Sequence, residues 1–210
     1  MIKQIFGRKL GMTQVFTEQG VVHSVTLIAV GPCKVLATKK YPKKEAVLIG
    51  YQEVTKEKKK TKPQIGFFAK LNQPYYKYTK EIERLSTESL EIGSDITVDI
   101  FEEKEKVAIT ATSIGRGFQG GMKRHNWAGQ PGGHGHTTHR RVGSVGASAY
   151  PSKIVKGHPM PGHMGNVKVT VRNLQVIKVD KERGLLFIDG SCPGAKNSLV
   201  LVGKSKEKKK

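Results

Sequence analysis

Short runs in which apolar or β-branched residues alternate with polar residues recur along most of the chain. Such runs, when turn residues separate them, predict β-strands. The predicted strands cover residues 12–16, 21–30, 33–38, 46–51, 96–101, 107–114, 167–178, 185–188 and 198–202. Because so many short strands would leave exposed edges in an open sheet, the pattern favours a mainly β fold that closes, or nearly closes, into a barrel.

One candidate helix interrupts the strands, over residues 78–90, where Ile82 and Leu85 lie three positions apart. The lysine-rich residues 56–62 that precede it are typical of a flexible basic connector. Residues 63–90 would then form an insertion between strands of the barrel.

Charge is distributed very unevenly. The chain has 37 Lys and Arg against 17 Asp and Glu, a formal net charge of +20. Residues 106–179 contain eleven Lys and Arg but no Asp or Glu. Since like charges repel, this composition predicts a polyanionic partner, and nucleic acid is the polyanion that fits. At residues 167–172 valines alternate with Lys168, Thr170 and Arg172, which predicts a strand with one buried and one basic face.

Other classes of protein fit the sequence poorly. The apolar runs are far shorter than the roughly 20 residues that a membrane-spanning helix needs, and residues 1–20 lack the apolar segment of a signal peptide. Cys33 and Cys192 are too few for a disulfide framework, so we expect reduced thiols in the core of a cytosolic protein. No spacing of nucleophile, base and orienting carboxylate indicates an enzyme.

The pattern changes between residues 115 and 165. This segment holds thirteen of the 24 glycines and six of the seven histidines, and it shows no apolar periodicity. It is therefore predicted to leave the barrel as an extension that becomes ordered against RNA. Arg and Lys would contact phosphates there, while Phe118, Trp127, Tyr150 and histidines would stack on bases.

Two motifs in this segment suggest other functions. Gly115, Gly117 and Gly120 form a G-x-G-x-x-G after a predicted strand, as in a nucleotide-dependent oxidoreductase. However, the glycine-rich residues that follow do not favour a helix, and no acidic residue occurs before Asp180. The histidines are dense enough for a metal site, but neither cysteine nor carboxylate lies nearby in sequence. We therefore expect no metal and no cofactor.

Three stretches of sequence point to one family. They are the G-R-K-L-G-M-T-Q-V-F run at residues 7–16, the run at residues 62–70, and residues 113–125 followed by 153–166. They resemble the bacterial L-three family of large-subunit ribosomal proteins, and the resemblance covers nearly the whole chain. It implies a closed six-stranded β-barrel of the translation-protein type, with a small α+β insertion and a long irregular extension rich in Gly, His and basic residues.

The expected organisation follows from the residue pattern and the resemblance together. It comprises residues 1–55 as the first part of the barrel, 56–95 as the insertion with a short helix, 96–114 as barrel strands, 115–165 as an RNA-penetrating extension, 166–203 as the last part of the barrel, and 204–210 as a disordered basic tail. The resemblance implies a cytoplasmic ribosomal protein that binds 23S-type rRNA, assists early subunit assembly and extends towards the peptidyl transferase centre. Its implied neighbours are the L-fourteen and L-nineteen ribosomal proteins.

The resemblance also implies individual RNA contacts. Its RNA-facing positions are Arg116, Lys123, Arg124, His125, Asn126, Trp127, His139, Arg140, Lys153, Lys156 and Lys168. The residue pattern adds His134, His136, Arg141 and Arg172. The tip of the extension is placed at Gly146, Ala147, Ser148, Ala149 and Tyr150. Ala149 corresponds to a glutamine that is N-methylated in enterobacterial members, so that modification is not expected here. An architectural DNA-binding protein is the alternative, although no groove-reading helix is evident.

Overall fold

The structure is a computed structural model that describes residues 4–17, 19–42, 44–55, 61–83 and 91–205. The chain forms two compact units, which we call the barrel unit (Met1–Thr112 with Lys168–Lys210) and the central unit (Ser113–Val167). The elements in chain order are β1 (Gln4–Phe16), β2 (Val22–Ala29), β3 (Cys33–Tyr41), β4 (Lys44–Glu53), α1 (Lys62–Lys70), β5 (Tyr76–Glu83), β6 (Asp95–Ile96), β7 (Lys106–Thr112), β8 (Gly117–Gln119), α2 (Gly121–His125), β9 (Gly162–Met164), β10 (Lys168–Asp180), β11 (Leu185–Asp189) and β12 (Leu199–Lys204). The prediction of a mainly β protein is confirmed.

Six antiparallel strands close the barrel in the order β1, β12, β7, β10, β11 and β2. Every second residue along these strands tends to be apolar, and these residues fill the barrel interior. In β7, for example, Val107, Ile109 and Ala111 are buried, while the first and last residues of the strand are exposed. Closure joins β2 back to β1, so the backbone groups of these strands pair without a continuous free edge.

A second, four-stranded antiparallel sheet has the order β5, β4, β3 and β6. In β4, Val47 and Ile49 face the buried cluster that also contains barrel residues such as Ile5. The side chain between them, Leu48, joins a smaller cluster with Phe68 of α1. The sheet is therefore covered on both faces, which explains why β4 reads as an unbroken apolar run.

The sheet assignment differs from the expectation that residues 1–55 belong to the barrel. The strands β3 and β4 were predicted as strands, but they pair with each other and with β5 and β6. The predicted strand at 96–101 is also wrong for most of its length. Only Asp95–Ile96 pairs, and a 3₁₀ turn follows at Val98–Ile100 because the Phe101 N–H donates to the Val98 carbonyl at 3.0 Å.

The predicted helix over residues 78–90 is wrong for residues 78–83, which belong to β5. Tyr76 and Ile82 are buried while Lys77, Thr79 and Glu81 are exposed, so the true period is two. Residues 84–90 lie outside the described residues.

The helix of this region is α1, which begins directly after Thr61. Pro63 lies in its first turn, where a proline costs no hydrogen bond. Gln64 Oε1 accepts from the Thr61 N–H at 3.3 Å and from its hydroxyl at 2.8 Å. The predicted connector therefore ends before Lys62, and residues 56–60 lie outside the described residues.

β12 extends one residue into the predicted C-terminal tail. Lys204, placed in the tail by the sequence, completes β12 opposite Val107, and its Nζ lies 3.1 Å from Glu105 Oε1. Residues 206–210 lie outside the described residues.

Cys33 and Cys192 are free thiols, and both are buried as expected. Burial raises the pKa of Cys33 to about 12. No helix of the described ranges is long and apolar enough to cross a membrane.

Lys9 of β1 joins the two ends of the chain in the barrel. Its Nζ donates to the carbonyl oxygens of Cys192 at 2.7 Å and Gly194 at 3.1 Å, in the loop between β11 and β12. Its backbone N–H and carbonyl also pair with Ser198 and Asn197. Lys9 lies in the G-R-K-L-G-M-T run that carries the family resemblance, so this part of the motif holds the fold together.

We predict that Lys9→Met lowers the free energy of unfolding by about 1.5–3 kcal/mol, since hydrogen bonds from a charged group to two carbonyls are lost while the aliphatic part of the side chain is kept. Urea denaturation of the full chain measures the change. The matched control is Lys178→Met, in an exposed position of β10. Equal midpoints for the two variants would contradict the assigned role of Lys9.

Candidate nucleic-acid interface

The first and last residues of the central unit are joined by a short antiparallel pair of strands, β8 and β9. The Ser113 N–H donates to the Val167 carbonyl at 2.8 Å, and β8 pairs with β9. Gly165 has φ +76, and a Cβ there would lie 2.2 Å from the Ile114 oxygen, so no other residue fits. The sequence predicted no such pairing within residues 115–165.

The G-x-G-x-x-G glycines lie in and around β8. Gly117 is the first residue of β8, paired with Met164, and Gly120 is the N-cap of α2. The expectation that no helix follows these glycines is wrong, but α2 has only five residues and ends at Asn126 in the left-handed conformation. The glycines therefore build a turn from strand to helix, and residues 106–179 contain no carboxylate to bind a ribose.

Arg124 and His125, at the end of α2, contact the backbone of the returning chain. Arg124 Nη1 donates to the Met160 carbonyl at 2.5 Å, and His125 Nε2 lies 2.9 Å from the same oxygen. A Cβ on Gly162 would be 2.7 Å from Arg124 Nη1, so a larger residue there would displace the guanidinium. Part of the hydrogen-bonding capacity of these two predicted RNA ligands is thus used inside the protein.

Trp127 lies against the backbone of Gly121. A Cβ on Gly121 would be 1.9 Å from the six-membered ring of the indole. The ring centroids of Trp127 and His125 are 6.1 Å apart, with 28° between the ring planes. Gly121 is the one buried residue of Ser113–Val167, all of which the structure describes. The central unit consequently has no hydrophobic core of its own, as the sequence predicted.

The loop that carries the other predicted histidines is closed by backbone contacts. The Gln130 N–H donates to the His139 carbonyl at 2.9 Å, and His139 Nδ1 lies 2.8 Å from the Pro131 oxygen. His136 Nδ1 lies 2.7 Å from the Thr138 oxygen, while His134 is exposed with φ +55. Among the described residues, no three His, Cys, Asp or Glu side chains are grouped so that they could hold a metal ion.

Six basic side chains of the central unit are exposed and have no ion-pair partner among the described residues. They are Arg116, Lys123, Arg140, Arg141, Lys153 and Lys156. The barrel unit is different, since several of its basic residues are paired. Lys34 Nζ lies 3.4 Å from Asp95, and Lys181 Nζ lies 3.6 Å from Asp99. The central unit therefore presents a surface of one sign of charge.

Lys168 and Arg172 are both exposed on β10, as the alternating pattern predicted for the basic face of this strand. However, the prediction that the valines around them form a buried face is wrong, because Val167 and Val169 are 55% and 37% exposed. Among the described residues, residues 168–171 pair with β7 alone, and β11 joins β10 from Val176 onward. The buried face of β10 accordingly begins at Val176.

The predicted tip residues, Gly146 to Tyr150, are all exposed, and Tyr150 is 89% exposed. Ser152 donates to the Ala149 carbonyl and Ser144 donates to the Gly146 carbonyl at 3.2 Å, so hydrogen bonds shape both sides of this segment.

A cleft of about 170 Å³ in the central unit was not predicted. Its lining residues are Trp127, Val142, Gly143, Ser144, His158 and Pro159. Of these, the sequence analysis singled out only Trp127 as a binding residue. The other five come from two distant segments, and no spacing in the sequence links them.

Comparison with known proteins identifies the family of this chain. The family described as ribosomal protein L3 matches residues 81–185, a range that contains the whole central unit. The large ribosomal subunit protein uL3 of Brachyspira pilosicoli is 44% identical over 98% of this chain and 94% of its own length. The chain belongs to the ribosomal protein L3 family. The resemblance read from its motifs is confirmed.

Other members of the family show similar agreement. The uL3 protein of Geobacillus sp. (strain WCH70) is 44% identical, and the match covers 96% of each chain. That of Corynebacterium jeikeium (strain K411) is 45% identical over 96% of this chain and 93% of its own length. The similarity therefore extends across both the barrel unit and the central unit.

We predict that Gly121→Ala displaces the Trp127 indole, because the new methyl group would overlap the ring. The fluorescence of this single tryptophan should shift to longer wavelength and become easier to quench with acrylamide, while the melting temperature of the barrel changes little. The matched control is Gly120→Ala, where a Cβ meets nothing within 4 Å. Emission identical in the two variants would show that Gly121 does not position the indole.

Proposed function

We propose that this protein is a non-enzymatic, structural constituent of the large ribosomal subunit in the cytoplasm, and that its central unit binds 23S-type rRNA. The observation that carries the proposal is the central unit itself. It has six exposed basic side chains without an ion-pair partner among the described residues, one buried residue and no carboxylate. Membership in the ribosomal protein L3 family supports the same conclusion.

Binding would combine charge neutralisation with close fit. Each Lys or Arg that contacts a phosphate releases condensed counterions, which gives affinity without sequence preference. The major groove of A-form RNA is too narrow for side chains to read, so selectivity would come from RNA shape and unstacked bases. Exposed glycines such as Gly132, Gly133 and Gly143, whose missing Cβ atoms would meet nothing within 4 Å, let the backbone approach a crowded RNA surface.

The finer features of the proposal rest on the family resemblance. They are a barrel of the translation-protein type, a role in early subunit assembly, an extension that reaches towards the peptidyl transferase centre with Gly146 to Tyr150 near its tip, and contacts with the L-fourteen and L-nineteen ribosomal proteins. The exposure of every residue from Gly146 to Tyr150 supports a tip that contacts a partner. Lys168 and Arg172 on β10 would add contacts outside the central unit.

We predict a steep salt dependence of binding. If about six basic residues each neutralise one phosphate, the slope of log affinity against log salt concentration is on the order of −4 to −5. Filter binding or fluorescence anisotropy with a transcribed large-subunit rRNA fragment, over 50–300 mM KCl, measures it. Competition with duplex DNA of equal charge tests the architectural DNA-binding alternative. A flat slope, or equal competition by the DNA, would argue against the proposed function.

We also predict that replacing Arg116, Arg140, Arg141 and Lys156 together by Ala weakens rRNA binding at 150 mM salt at least 100-fold, because four phosphate contacts are lost, and reduces the magnitude of the salt slope by about 3–4. Arg124 is left unchanged, since it contacts Met160 inside the protein. The same titrations, with thermal melting of each variant, give both quantities.

The matched control removes four basic residues that already have carboxylate partners. It replaces Lys34, Lys39, Lys181 and Arg183 by Ala. This control loses the same formal charge as the first variant. If the position of the charges matters, the control should leave the slope of log affinity against log salt concentration almost unchanged. Equal losses of affinity in both quadruple variants would mean that net charge alone drives binding. Loss of barrel melting in the first variant would mean that the central unit is part of the core.

A further inference from the structure

The cleft beside Trp127 has a fixed aromatic wall. The indole lies against Gly121, which is buried and where a Cβ would overlap the ring. Trp127 itself is half-buried. A ring held in this way loses little freedom when a second flat ring stacks on it, so it is a preorganised stacking platform.

The size of the cleft limits what can enter. Its volume of about 170 Å³ is well below the roughly 300 Å³ at which typical small-molecule sites begin. Val142 and Pro159 add apolar surface to the lining. The cleft is therefore suited to one planar ring system and is too small for a complete dinucleotide cofactor.

The polar groups of the cleft are available for hydrogen bonding. Neither ring nitrogen of His158 has a partner within the part of the chain that the structure describes, and the side chain is exposed. The Ser144 hydroxyl donates to the Gly146 carbonyl, which leaves its oxygen free to accept. Gly143 is exposed and has no side chain to cover its peptide group.

Charge favours a nucleotide over a peptide as the occupant. The lining segment that begins at Val142 directly follows Arg140 and Arg141, and Lys156 lies two positions before His158. All three basic side chains are exposed. A base in the cleft would thus carry its phosphates into a region of positive charge without any carboxylate.

We propose that this cleft binds a single unstacked nucleobase of the rRNA, with the base stacked on Trp127 and its edge hydrogen-bonded by His158, Ser144 or the Gly143 peptide. The site rests on the proposed function, because it assigns one base contact within the RNA-binding unit. It differs from the phosphate contacts in kind, since it reads an aromatic ring and would select an RNA conformation in which that base is splayed out.

The test uses the full chain, in which Trp127 is the sole tryptophan. Titration with the rRNA fragment should quench the tryptophan emission and protect it from acrylamide. Trp127→Ala should weaken binding about ten-fold or more, while Trp127→Phe, which keeps a stacking ring, should lose only a few-fold. His158→Ala, which does not touch Gly121, should reduce affinity about three-fold and so tests the cleft even if Trp127→Ala disturbs the central unit.

The control is Phe16→Ala, which removes a 69% exposed aromatic ring from the barrel unit and should leave the affinity unchanged. One outcome would overturn the cleft assignment and leave the proposed function standing. In it the wild-type chain binds the rRNA fragment with no change in tryptophan emission, and the Trp127→Ala and Phe16→Ala variants bind it with the same affinity. If the wild-type chain does not bind rRNA, the proposed function fails. AMP and GMP form a separate arm, and quenching by either at micromolar concentration would assign the cleft to soluble nucleotides instead.

Discussion

Repulsion between like charges sets the division of this molecule. In the barrel unit, basic side chains lie beside carboxylates, as in the Lys204–Glu105 and Lys34–Asp95 pairs. The central unit has basic side chains but no carboxylate, so a dense arrangement of its residues would raise the free energy of the compact state. The hydrophobic core is accordingly built elsewhere, by the barrel and the sheet that packs against it.

Glycine replaces the hydrophobic core as the source of shape in the central unit. Gly121 lies under the Trp127 indole, Gly162 lies under the Arg124 guanidinium, and Gly165 passes the Ile114 carbonyl more closely than a Cβ would allow. A neighbouring side chain occupies the space of the missing Cβ at Gly121 and Gly162, and a backbone carbonyl occupies it at Gly165.

Sequence reasoning succeeded where one buried face imposes a period of two, as in β7, and failed where tertiary contacts decide. The sheet that receives β4 could not be predicted, because both faces of that strand are covered and its apolar run fits a barrel equally well. The sequence analysis predicted no helix at α1, whose apolar residues Ile65 and Phe67 are exposed. The signal present in the sequence is the Thr61 N-cap followed by Pro63 and Gln64. The cleft joins residues from three separate segments, which no local pattern can reveal.

Composition alone overstates the charge that such a chain can offer to a polyanion. Of the basic residues, Lys9 donates to two carbonyls in the barrel, Arg124 donates to another in the central unit, and several more face carboxylates. A guanidinium or ammonium group that already has oxygen partners must give them up, or share them, to contact phosphate. A formal net charge of +20 does not distinguish such groups from the exposed basic side chains of the central unit, which have no ion-pair partner in the part of the chain that the structure describes.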